Sequence, residues 1–142
     1  MNLSEHFTLE ELTHTDHRDL DNTPNDAELA NLTRLAEFLE EVKTVLGGKP
    51  VMVNSAFRSK AVNDAVGSKD TSQHRVGCAA DIRIPGMTPD EVVRAIIASD
   101  IGYDQVIREF DRWTHVSIPN VEGTQPRKQK LIIDKGGTRQ FA

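Results

Sequence analysis

The chain has 142 residues and a formal net charge of −5, with 37% apolar, 27% charged and 5% aromatic residues. That length suits one domain with a core of its own, and the balance is that of an ordinary globular protein, not a disordered or fibrous one. The single cysteine, Cys78, rules out an intrachain disulfide, and no apolar run reaches the ~18 residues of a membrane span.

Charge is uneven along the chain. Residues 1–46 hold eleven acids against Arg18, Arg34 and Lys43, whereas residues 127–142 hold Arg127, Lys128, Lys130, Lys135 and Arg139 against Asp134. The basic end reads as a solvated strand edge protected by lysines, with contact to an anionic polymer as the alternative. Basic residues do not alternate with aromatics in a stripe, so nucleic acid is not an expected partner. Residues 1–6 lack the basic and apolar regions of a signal peptide, which gives the expectation of a protein made in the cytoplasm. No repeat, linker or low-complexity tract divides the chain, so residues 1–142 read as one domain and the protein as a monomer.

The first element is Phe7 to Leu12. Thr8 as N-cap with Glu11 at N3 makes a capping box, and Phe7 with Leu12 makes a hydrophobic staple. His14 and His17 follow in a polar segment and read as surface histidines. Residues 24–46 carry apolar side chains at steps of three and four from Leu29 to Leu46, the stripe of an amphipathic helix. Thr23, Pro24 and Asp26 suit its N-cap, N1 and N3 positions, and Gly47-Gly48 ends it. Residues 50–59 are a short β-rich run, and Ser59 can cap a brief helix through Ala65. A polar loop leads to His74. Ala79 to Ile84 reads as a strand stopped by Pro85-Gly86. Thr88-Pro89-Asp90-Glu91 starts another helix, with Val92, Val93, Ile96 and Ile97 on its buried side. Gln105 to Phe110 and Trp113 to Ile118 read as a hairpin, and Lys130 to Asp134 as a last strand. This order favours an α+β fold with a mainly antiparallel sheet and helices packed on one side.

Side chains alternate between the two faces of a strand. Asp81 shares one face with Arg83, and His115 shares one with Trp113 and Ser117. If the two strands are neighbours, Asp81 and His115 converge above the sheet, and His74 joins them from the preceding loop. Gly77 permits the sharp chain path this requires. Two imidazoles and one carboxylate are the protein ligands of a catalytic Zn2+ that keeps its fourth position open. Cys78 is either a fourth ligand, which would close the site, or a small buried hydrophobe. Arg58, after an apolar run and before a helix cap, suits a cleft. Ser72 and Gln73 are candidates to orient His74 or to touch substrate. Trp113 either stacks on a sugar or packs into the core.

Ser72-Gln73-His74-x-x-Gly77-x-Ala79-x-Asp81, followed by Trp113-x-His115-x-Ser117, resembles the zinc signature of the M15 metallopeptidases. That is the group of D-alanyl-D-alanine carboxypeptidases and phage endolysins. Ser55 to Ser59 is similar to the family's arginine segment, and Phe7 to Leu12 to the start of its small single-domain members. The resemblance runs from about residue 5 to 120. It implies the fold shared with the hedgehog signalling domain, one zinc ion on His74, Asp81 and His115, and Arg58 as a contact for a substrate carboxylate or carbonyl. It also implies a peptidoglycan peptide as substrate; together with the lack of a signal-peptide pattern in residues 1–6, this gives the expectation of a lysin-like protein that reaches the cell wall after release from the cytoplasm. Many relatives place a glutamate three residues before the second histidine as general base. Here that residue is Arg112, which leaves Glu109 and then Asp111 as the nearest acids for the role. Without that acid, a zinc-stapled binding module of the same fold is the competing expectation.

Overall fold

The computed structural model describes residues 1–141. Helix starts follow local side-chain chemistry. Leu9–Leu12 (α1) is capped by Thr8, whose hydroxyl accepts from the Glu11 N–H while the Glu11 carboxylate accepts from the Thr8 N–H. Asp26–Val45 (α2) begins two residues later than the sequence pattern suggests. Asn25, not Thr23, is its cap: Asn25 and Glu28 satisfy one another's backbone N–H at 2.8 and 2.9 Å, and the Thr23 hydroxyl is instead bound to the Asp21 carboxylate at 2.6 Å. Lys60–Ala65 (α3) starts at Ser59. Pro89–Ile97 (α4) starts with the expected box of Thr88 and Glu91.

Among the described residues, six strands form one sheet. They are Met52–Ser55 (β1), Ala79–Arg83 (β2), Gln105–Glu109 (β3), Trp113–Ser117 (β4), Gln129–Asp134 (β5) and Gly137–Gln140 (β6). Their order across the sheet is β1-β2-β4-β3-β5-β6. Every neighbouring pair is antiparallel except β3 with β5, which is parallel. The α+β, mainly antiparallel fold is therefore present. β6 has no counterpart in the sequence reading, because its four residues are exposed and carry no apolar alternation.

One face of the sheet holds the core. Ala80 and Ile82 of β2, Val106 of β3 and Val116 of β4 pack with Leu32, Leu35 and Leu39 of α2 and Val92, Val93 and Ile96 of α4. Each of these leucine, isoleucine and valine side chains contributes about 1.5–3 kcal/mol when fully buried. Because β2 and β4 alternate, burying Ala80, Ile82 and Val116 on this face commits Asp81 and His115 to the other. No helix of the described residues is long and apolar enough to cross a membrane.

Candidate metal centre and cleft

Asp81 and His115 are direct cross-strand partners in the β2–β4 register. His115 Nδ1 lies 3.0 Å from Asp81 Oδ1. His74 comes from a 3-10 turn, Gln73–Val76, that precedes β2. Its Nδ1–H donates to the Ala56 carbonyl at 2.6 Å, which fixes the tautomer and turns Nε2 toward Asp81 Oδ1, 3.4 Å away. The Arg58 N–H donates to the His74 carbonyl at 3.0 Å, so the segment after β1 holds both the ring and the backbone of this histidine. Gly77 closes the turn at φ 82.

The three side chains offer ligand atoms that all lie within 4.8 Å of one another, and all three are buried. Tetrahedral zinc with ~2.1 Å bonds needs donors about 3.4 Å apart. The 3.0 and 3.4 Å separations to Asp81 meet that requirement. Burial pushes the His74 imidazole down in pKa, against the pull of the Asp81 carboxylate, and so favours the neutral form of the ring that a metal ion requires. Burial opposes ionisation of Asp81, but the two imidazoles beside it more than offset this and hold its carboxyl well below the usual aspartate range. The donor set thus fits a divalent ion of the zinc type.

A cleft of about 800 Å³ opens over the cluster, lined by Arg58, Ser72, Glu109 and Trp113 together with the three candidate ligands. Arg58 extends its guanidinium to within 3.6 Å of Asp81 Oδ2, and its Nε donates to Ser55 Oγ at 3.3 Å. Burial lowers the Arg58 pKa, and the nearby Asp81 and Glu109 carboxylates oppose that effect. Ser72 uses its hydroxyl to accept from the His74 N–H at 3.3 Å. Glu109 places Oε1 3.8 Å from His115 Nδ1, while Oε2 accepts from the Trp113 indole N–H at 3.1 Å. Burial and the Asp81 carboxylate push the Glu109 carboxyl up from its ordinary value, against His115, Trp113 and Arg58.

Two of the sequence candidates point elsewhere. Asp111 does not share a face with Glu109. The chain leaves its extended path at Phe110 and Asp111, both with positive φ (53 and 52), and the Asp111 carboxylate pairs with Arg108 Nε at 3.1 Å. Arg108 also binds Asp90 at the start of α4, on the helix-covered face of the sheet. Gln73 turns inward: its amide donates to Asp104 Oδ2, the Ile118 carbonyl and Asn120 Oδ1 at 2.9–3.1 Å. Cys78 lies in the hydrophobic core, and neither it nor His14 or His17 belongs to the donor cluster.

Several parts of the site have no signature in the sequence. Phe110, Val66 and Ile133 line the cleft. Asn22 brackets Arg58: its amide donates to the Phe57 carbonyl at 3.0 Å and its Oδ1 accepts from the Ser59 N–H at 2.7 Å. A single loop asparagine carries no pattern that announces such a role. Behind Gln73, the buried Asp104 carboxylate is gripped by the Arg127 guanidinium, with contacts of 2.6–3.1 Å.

Two histidines and an aspartate at the floor of an open cleft, with a further acid beside them, are the arrangement of a metal-dependent hydrolase. The chain matches the family model of Peptidase M15 over residues 5–117, and it belongs to that family of peptidases. The match includes both stretches that supply the cluster. No curated protein matches the chain.

Proposed function

We propose that this protein is a zinc-dependent peptidase that hydrolyses an amide bond in peptidoglycan stem peptides, as a carboxypeptidase or an endopeptidase. The observation that carries the reading is the convergence of His74, Asp81 and His115 beneath a cleft that also holds Glu109 and Arg58, in a chain of the M15 family. When bound by the three ligands, zinc supplies Lewis-acid polarisation of a substrate carbonyl and lowers the pKa of a water toward ~7.

The chain's own residues supply the rest. Arg58 anchors a substrate carboxylate or carbonyl through the part of its guanidinium that faces the cleft, and it keeps its charge despite burial because a guanidinium titrates far above neutral pH. Glu109 is the general base: it accepts the proton of the attacking water and returns it to the leaving amine. Ser72 and the Ala56 carbonyl keep His74 in register with the cluster. Asp111, tied to Arg108, is the lesser candidate for the base. The working location is the cell wall, reached after release from the cytoplasm, and a phage lysin fits this description.

Incubation of the zinc-loaded protein with purified peptidoglycan, followed by mass spectrometry of the muropeptides, tests the reading. New products with one defined cleavage point are expected. Asp81→Ala and His115→Ala are expected to stay folded, lose zinc and yield none. Hydrolysis retained by either zinc-free variant would sink the assignment. The residue at the relatives' base position, Arg112, favours a second reading, a zinc-stapled binding module. Wild-type protein that loses much of its thermal stability on chelation, yet turns over no peptidoglycan peptide, would support it.

A further inference from the structure

Trp113 stands opposite Glu109 in the β3–β4 register, at the closed end of the hairpin. Its indole N–H donates to Oε2 of that carboxylate at 3.1 Å. The other oxygen, Oε1, is the one that faces His115. A glutamate has three side-chain torsions, and an unrestrained one would sample several directions across the cleft. Here the bond to the indole removes that freedom and leaves Oε1 toward the metal cluster. The indole is itself held. The Phe110 ring packs on it at 5.9 Å between centroids, with the planes at 45°. Phe110 reaches that place through a left-handed backbone at φ 53, although it is a bulky residue for which this region is costly. Its N–H donates to the Ile133 carbonyl of β5 at 2.8 Å, which pins the turn.

We infer that Trp113 is a positioning residue for the general base: its indole N–H fixes the Glu109 carboxylate so that the free oxygen faces the water to be deprotonated. This rests on the assignment of Glu109 as base. It also gives Trp113 a role other than stacking on a sugar, and the two roles differ kinetically. A substrate contact contributes to KM, whereas an orienting contact acts on the chemical step.

Trp113→Phe keeps a smaller ring against Phe110 and removes the donor. On soluble muropeptides prepared from peptidoglycan, this variant is expected to lower kcat about tenfold to a hundredfold, with KM changed less than about twofold. The chain has one tryptophan, so its indole N–H gives one resonance in a 15N-labelled sample. In zinc-free protein as well as zinc-loaded protein, Glu109→Ala is expected to move that resonance upfield. An indole resonance unmoved by Glu109→Ala would overturn the inference. So would a Trp113→Phe variant that raises KM with kcat intact or that retains wild-type kinetics. Glu109→Gln separates the two levels of the argument. If Glu109→Gln hydrolyses at the wild-type rate, the base assignment fails and the inference with it. If Glu109→Gln is inactive while Trp113→Phe is fully active, only the role of Trp113 fails.

Discussion

Gly77→Ala tests how His74 is delivered to the cluster. Gly77 has φ +82, and a Cβ there would lie 2.9 Å from the Glu28 carbonyl oxygen and 3.1 Å from Leu32 Cγ. The left-handed backbone alone costs an L-residue about 1–2 kcal/mol. The clash adds to this, because the Glu28 oxygen belongs to the backbone of α2 and cannot rotate aside; overpacking of this kind costs about 1–3 kcal/mol. The sum, about 2–5 kcal/mol, corresponds to a Tm lowered by ~6–15 °C for a chain of this size. Gly86 provides the comparison: its φ is +83, but nothing lies within 4 Å of the added Cβ. Gly86→Ala is expected to cost only the backbone component, about 1–2 kcal/mol. Relief of the clash must lift the 3-10 turn off α2, where Asn31 Nδ2 holds the Val76 carbonyl at 2.8 Å and Arg75 pairs with Glu28 at 3.3 Å. His74 moves with that turn, so zinc affinity measured by chelator competition should fall by about tenfold or more in Gly77→Ala, and stay unchanged in Gly86→Ala. Calorimetry and the competition titration together check the reasoning. Equal Tm losses in the two variants would show that the contact with α2 does not constrain the turn.

Zinc at a hundredfold excess over its Kd should stabilise the fold by about 2.7 kcal/mol, or ~8 °C in Tm, and a chelator should reverse the gain; a Tm indifferent to zinc would argue against the cluster as its site. Asn22→Ala, which removes bonds to both sides of Arg58, should cost about 2–3 kcal/mol in chemical denaturation, and a loss under ~0.5 kcal/mol would show that the loop holds Arg58 by other means. Burial opposes ionisation of Asp104, but Arg127 and Gln73 outweigh it and lower its pKa. The stabilisation is therefore complete above the ordinary aspartate range and is lost as pH falls through the lower folded value. Asp104→Asn should consequently be less stable than wild type at pH 7 and show a shallower decline in Tm toward acid; parallel acid limbs for the two proteins would refute the coupling.

The parts that were legible from sequence rest on local rules. Thr8 with Glu11 and Thr88 with Glu91 close capping boxes whose partners lie three residues apart. That Asp81 and His115 lie on the face opposite the core follows from strand alternation once Ala80, Ile82 and Val116 are assigned to the core, and the adjacency of β2 and β4 then pairs them. What escaped depends on contacts between distant segments or on turn geometry. The Ala56 carbonyl that sets the His74 tautomer is a backbone group, invisible to any side-chain pattern. The period-two rule that would place Asp111 beside Glu109 fails because two consecutive left-handed residues end the strand at Phe110. Gln73, adjacent to the candidate ligand His74, is drawn to the buried Asp104 31 positions away.

The parallel pairing of β5 with β3 changes what kind of strand Glu109 stands on. Without it, β3 would be the rim of the sheet, with a row of amides open to water and free to fray. With it, residues 105–109 are bonded on both sides, to β4 and to β5. These amides should therefore rank among the slowest in the molecule to exchange with solvent, slower than those of the rim strand β6. The segment that provides this shelter, residues 129–140, lies beyond the family-matched stretch that ends at residue 117. The stretch beyond the family-matched residues thus buttresses the strand that carries Glu109.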